Sequence, residues 1–184
     1  MDDLLWWVYK PSRVGVQFLF ETCCNAMQIL NGPRAVEHLS RAVGATGPGS
    51  DESFAAFKAP CVLAGVCGNS VQLHLLLTCR AAALVRRASP RAYHEALCEA
   101  YLAAMASNLP SAPDCMACLV SHGVDPLLKD SHCGGNAYAE GLMWSDFEGH
   151  AHVKSALVTL TQRHYNLRWV IERELGGMQT GQHR

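Results

Sequence analysis

Residues 114–126 read Asp-Cys-Met-Ala-Cys-Leu-Val-Ser-His-Gly-Val-Asp-Pro. The apolar run over 115–120 predicts a short helix. His122-Gly123 stops it, because glycine tolerates the left-handed backbone that ends a helix, and Val124-Asp125-Pro126 carries the chain into an exit turn. Outward from this stretch the same order of helix, glycine turn and exit recurs. Residues 59–79 (APCVLAGVCGNSVQLHLLLTC) give the clearest second instance. Pro60 predicts the first turn of a helix, where its missing N–H costs nothing. Ala64 and Gly65 are small enough for a paired helix to approach closely, and Gly68-Asn69 supplies a left-handed turn. In the helix that follows, Val71, Leu75 and Thr78 trace one face, widened by Leu73, Leu76 and Leu77. Residues 32–45 and 149–160 repeat the second half of the unit. Aligning Leu39, Leu75, Cys118 and Ala156 gives intervals of about 36 to 43 residues.

This pattern resembles the ankyrin-repeat family, whose unit of about 33 residues opens T-P-L-H-x-A. Pro60 and Ala64 fall on matching positions, Asn136 stands where the family threonine caps a first helix, and Gly149-His150 opens a second helix as in that family. The signature histidine is replaced by Val62 and by Ala139, and the first helices over 93–107 and 136–148 exceed the usual two turns. The resemblance implies an all-α fold, a helical solenoid of about four stacked ankyrin-like helix-turn-helix repeats over residues 14–165. It also implies a non-catalytic protein–protein interaction module, a scaffold or adaptor, whose loops and inner helices meet a partner.

The ends differ from the array. Residues 1–13 begin MDDLLWWVYK, and Trp6 and Trp7 suit a cap over the open end of a stack. Residues 166–175 (NLRWVIEREL) predict a C-terminal capping helix, and residues 176–184 a disordered tail. A Trp-rich start and a short array also suit a subunit of a large complex.

The chain has 184 residues, 49% of them hydrophobic and 17% charged. That length buries roughly 70% of the unfolded surface without disulfides. A formal net charge of −1 gives no general attraction to nucleic acid or acidic membranes. The nine cysteines are an odd number and the opening Met-Asp-Asp is no secretory signal, so a reducing, cytoplasmic setting is the expectation. The most apolar stretch, 59–85, is broken by Asn69, Gln72, His74 and Arg80, which argues against membrane insertion.

Partner contacts are expected on the inter-unit loops, since loops on a rigid scaffold commonly carry recognition. The loop expected over 46–58 offers Asp51, Glu52, Phe54 and Phe57. That over 81–92 offers Arg86, Arg87 and Arg91, and that over 124–135 offers Lys129, Asp130 and His132. Arg86-Arg87-Ala88-Ser89 also resembles a basic-directed phosphorylation site, followed by Pro90. A different class of chemistry rests on Cys115-x-x-Cys118, a common zinc half-site, with His132 and Cys133 as the remaining ligands or as parts of a thiol-active centre. Free cysteine is also a good small core residue, which is the simpler role for Cys115 and Cys118 and for the adjacent Cys23 and Cys24. No phosphate-binding loop, dinucleotide fingerprint or hydrolase motif occurs. The expectation is therefore a protein that is no enzyme and takes no cofactor.

Overall fold

The structure is a computed structural model describing residues 32–107, 109–127 and 151–179, with side chains described to residue 166. Every regular element among these residues is a helix. In chain order they are α1 (Gly32–Thr46), α2 (Asp51–Val66), α3 (Ser70–Thr78), α4 (Arg80–Ala88), α5 (Pro90–Ser107), α6 (Ala112–Ser121) and α7 (Ala151–Gln179). The all-α expectation is met.

Local chemistry sets most of the boundaries. Ser50 caps α2: its side chain accepts from the Ser53 N–H at 3.1 Å. Asp51 and Glu52 then occupy the first turn, where carboxylates favour the positive end of the helix dipole. Ser53 is fully buried, and its hydroxyl donates to the Gly47 carbonyl at 2.7 Å, tying the helix to the turn before it. At the other end Gly68 takes φ +64°, and Asn69 donates its N–H back to the Ala64 carbonyl at 2.8 Å. The Asn69 side chain accepts from the Gln72 N–H at 3.0 Å and so caps α3. The three residues Cys67-Gly68-Asn69 thus end one helix and start the next. Cys79 caps α4 through its sulfur, which accepts from the Ala82 N–H at 3.4 Å. The expected stop at His122-Gly123 is present: Gly123 has φ +99°, and the Val124 N–H reaches the Leu119 carbonyl at 3.2 Å. Asp125 then accepts from the Leu127 N–H at 2.8 Å, fixing the exit turn.

The core lies where α2 packs along α5, the most extensive helix pairing among the described residues. Phe57 stacks on Tyr93 with ring centroids 4.7 Å apart and planes 15° from parallel. Further along, Gly65 lets the backbones come together: a Cβ there would lie 2.5 Å from the Ala100 carbonyl oxygen. Ala64, Ala100 and Ala104 are fully buried at the same crossing. Lys58 and Glu99 pair at 2.6 Å across the outer edge, but both side chains are more than a third exposed, so this pair contributes at most about 1 kcal/mol. Around the central pair, α1 packs against α2, α3 and α4, α6 against α5, α3 and α2, and α7 against α6.

Several sequence expectations are corrected. Pro60 does not open a helix. It lies inside α2, which begins nine residues earlier at Asp51, so most of the loop expected over 46–58 is helical. The loop expected over 81–92 is also mostly helix, the short α4 followed after Ser89 by the start of α5. In α3, Val71, Leu75 and Thr78 form the outer face, while Gln72, Leu73, Leu76 and Leu77 are buried. Aligned with Leu39, the fully buried residues of the later helices are Leu76, Leu119 and Leu157. Each is one residue beyond the position that the repeat register selects. The small pair Ala64-Gly65 admits α5, not the hairpin partner α3. The expected capping helix over 166–175 is no separate element, because α7 runs unbroken from Ala151 to Gln179 and takes in part of the expected tail. The 1–13 segment with Trp6 and Trp7, Cys23-Cys24, and the first helix expected over 136–148 lie outside the described residues.

Candidate interaction surface

The short helix α4 carries three charges of one sign. From Cys79 to His94 the chain holds Arg80, Arg86, Arg87 and Arg91 and no carboxylate. Ala81, Ala82 and Val85 turn inward and are buried, which leaves Arg80, Arg86 and Arg87 exposed. Alanine, leucine and arginine are strong helix formers, so nine residues suffice once Cys79 caps the start and tertiary contacts hold the inner face.

Arg86 is the best positioned of the three. Its guanidinium carbon lies 6.0 Å from the centroid of the Tyr93 ring, and Tyr93 stacks on buried Phe57. The two rings form a rigid column beneath the charge, and cation–π contact holds the guanidinium at the surface. Burial pushes the Tyr93 hydroxyl up to about 12, with Cys61 adding to the rise and the positive charge of Arg86 opposing it. Arg91 is spent locally on Glu95, at 2.9 Å within one helix turn. Arg80, Arg86 and Arg87 pair with no carboxylate among the described residues.

The other expected contact residues divide. Asp51 and Glu52 are exposed at the start of α2. The turn before them rests against the end of α4: a Cβ on Gly49 would sit 3.7 Å from the Ala88 Cβ. The two segments read as loops therefore do meet, at the α4–α5 junction. Phe54 is half-buried, with the Lys58 ammonium 6.0 Å from its ring centroid. Phe57 is fully buried, so it supports the surface from beneath and cannot touch a partner. Ser89 follows α4 and leads into α5, its N–H donating to the Val85 carbonyl at 2.9 Å. Lys129, Asp130, His132 and Cys133 lie outside the described residues.

The two cysteines of the Cys-x-x-Cys pair have different surroundings. Cys115 is fully buried, and its thiol donates to the Ala64 carbonyl at 3.7 Å, whereas Cys118 turns toward the rim of the molecule and is half-buried. Cys61, Cys79, Cys98, Cys115 and Cys118 take part in no disulfide among the described residues. Burial is the largest cause of raised thiol pKa at Cys61, Cys98, Cys115 and Cys118, with Cys98 and Cys115 each brought to about 11. A nucleophilic cysteine requires the opposite shift. Among the described residues a different group can hold a metal: His74 of α3, Cys118 of α6 and His122 at the end of α6 have ligand atoms that all lie within 4.8 Å of one another. Sequence reading misses His74, which sits 44 residues from Cys118 with no local signal linking them.

No described helix is long and apolar enough to cross a membrane. A scan against protein-family models, a search of curated proteins and a search of solved structures found no match to this chain.

Proposed function

We propose that this chain is a non-catalytic protein-interaction module, built as a stack of ankyrin-like helical pairs, which engages an acidic surface of a protein partner through the arginine face of α4. The observation that carries the reading is the exposed set Arg80, Arg86 and Arg87, without carboxylate partners among the described residues and with Arg86 held over Tyr93. Arginines on a rigid support dominate many interfaces, and their order before binding lowers the entropy cost of association. A net charge of −1 over the whole chain favours a local acidic contact over the long phosphate track of a nucleic acid.

Support for the stack comes from the order of packing. The glycine-turn unit α2–α3 and the later unit α5–α6 each join two helices through a short connection. Their first helices, α2 and α5, pack together, and their second helices, α3 and α6, do so too. Contacts of α1 with α3 and of α6 with α7 extend the row of second helices at both ends. In this reading α4 is an insertion between units, and it is the insertion that presents the arginines.

The test is capture of partners from native extract, identification by mass spectrometry, and measurement of affinity with the purified pair. Arg86→Glu combined with Arg87→Glu is expected to weaken binding at least about tenfold, with helicity and melting temperature unchanged. Binding at wild-type strength by a folded double variant would remove the arginine face from the function.

A further inference from the structure

We infer that His74, Cys118 and His122 form a binding site for a zinc-type divalent transition metal, bridging α3 and α6 and leaving one coordination position open to solvent. The site is independent of partner capture and stands on its own geometry.

Three features build it. Cys118 and His122 lie one helical turn apart, so their side chains leave the same face of α6. The backbone of His122 is fixed at the end of that helix, where its N–H donates to the carbonyls of Cys118 and Leu119 at 3.2 and 3.0 Å. The packing of α3 against α6 then brings His74 to the pair, and every ligand atom of the three comes within 4.8 Å of the others. In a tetrahedral zinc site, ligand atoms about 2.0–2.3 Å from the metal stand about 3.3–3.7 Å from each other. Closing the remaining gap requires about an ångström of side-chain rotation. His74 is exposed and free to supply it.

The donor chemistry selects the ion. Two imidazoles and one thiolate are borderline-soft ligands that suit zinc and cobalt(II) and disfavour calcium and magnesium, which take oxygen. Burial holds the pKa of His122 below its usual value, and the nearby His74 and Arg86 act in the same direction. Binding forms the metal–sulfur bond as the Cys118 thiol releases its proton to solvent. A simple core role does not account for the group: all three side chains reach solvent, with His74 the most exposed. Arg86 opposes the incoming cation, and the thiolate formed on binding offsets that charge.

The full-length chain is stripped with a chelator and titrated with cobalt(II), then with zinc, under reducing conditions. One equivalent of cobalt is expected to produce thiolate-to-cobalt charge-transfer absorption together with the visible bands of a tetrahedral ion. Zinc is expected to abolish them and to raise the melting temperature. His74→Ala changes an exposed side chain and leaves the fold intact. It is expected to weaken binding at least about tenfold, because loss of an outer-shell partner alone costs that much. Cys118→Ser is expected to remove the charge-transfer absorption, while Cys115→Ser and Cys133→Ser retain it. Absence of thiolate absorption in the wild type would overturn the site. So would unchanged affinity in His74→Ala, or loss of binding in Cys133→Ser with retention in Cys118→Ser.

Discussion

Gly65 shows how one missing side chain sets the centre of this molecule. A Cβ at that position would enter the backbone of α5 at Ala100, and backbone cannot yield as a flexible side chain does. Gly65→Ala is therefore expected to destabilise the protein by about 1–3 kcal/mol. Gly44 lies exposed near the end of α1, and a methyl added there would meet nothing within 4 Å. Gly44→Ala is expected to stabilise by about 0.5–1 kcal/mol through reduced chain entropy. Urea unfolding of the two variants checks both signs, and equal effects would disprove the close approach of α2 and α5. The same scale explains Arg86. Its worth lies in the column beneath it, Tyr93 on Phe57, which ties an exposed charge to the core. Phe57 belongs to the surface only through that support.

At the scale of the element, α3 is the instructive case. Its residues SVQLHLLLT are apolar on both sides, so helical spacing alone does not choose which side faces the core. Packing against α1, α2 and α6 makes the choice. Leu75 is 40% exposed and Val71 70% exposed, whereas Leu76 is fully buried. Leu76→Ala is expected to cost about 2–5 kcal/mol and Leu75→Ala well under half of that, by thermal or denaturant melting. The reverse ranking would restore the face read from sequence.

Turns are legible because their chemistry is local. Gly68-Asn69, His122-Gly123 and Asp125 each do in the structure what their residue types require. Helix starts are less so. Pro60 suggests a first turn, and that reading hides the stronger signal of Ser50 followed by Asp51 and Glu52. The segment RAAALVRRA has the composition of a good helix, yet its position between two apparent repeats makes it read as a loop. His74 beside Cys118 and His122 has no local signal at all, because that neighbourhood exists only once α3 and α6 have packed.

At the scale of the whole molecule, the buried side chains form one core running from Ala35 and Leu39 in α1 to Leu157 and Leu160 in α7. Every described helix contributes to it, so the helices hold together through one shared apolar interior. The recurrence of Leu39, Leu76, Leu119 and Leu157 as fully buried residues of α1, α3, α6 and α7 fits one repeated role. The all-helical class is legible in the sequence, while the choice of buried residue is not, because neighbouring apolar residues at 75–77 and 118–120 satisfy the pattern almost equally well.

The stacked arrangement is tested most directly by methyl–methyl nuclear Overhauser contacts in the full-length protein with labelled leucine and valine. A stack predicts contacts of α1 methyls with α3, of α3 with α6 and of α6 with α7, with Leu39 and Leu157 too far apart to give a cross-peak. A cross-peak joining Leu39 to Leu157 would place the end helices side by side around a shared axis and contradict it.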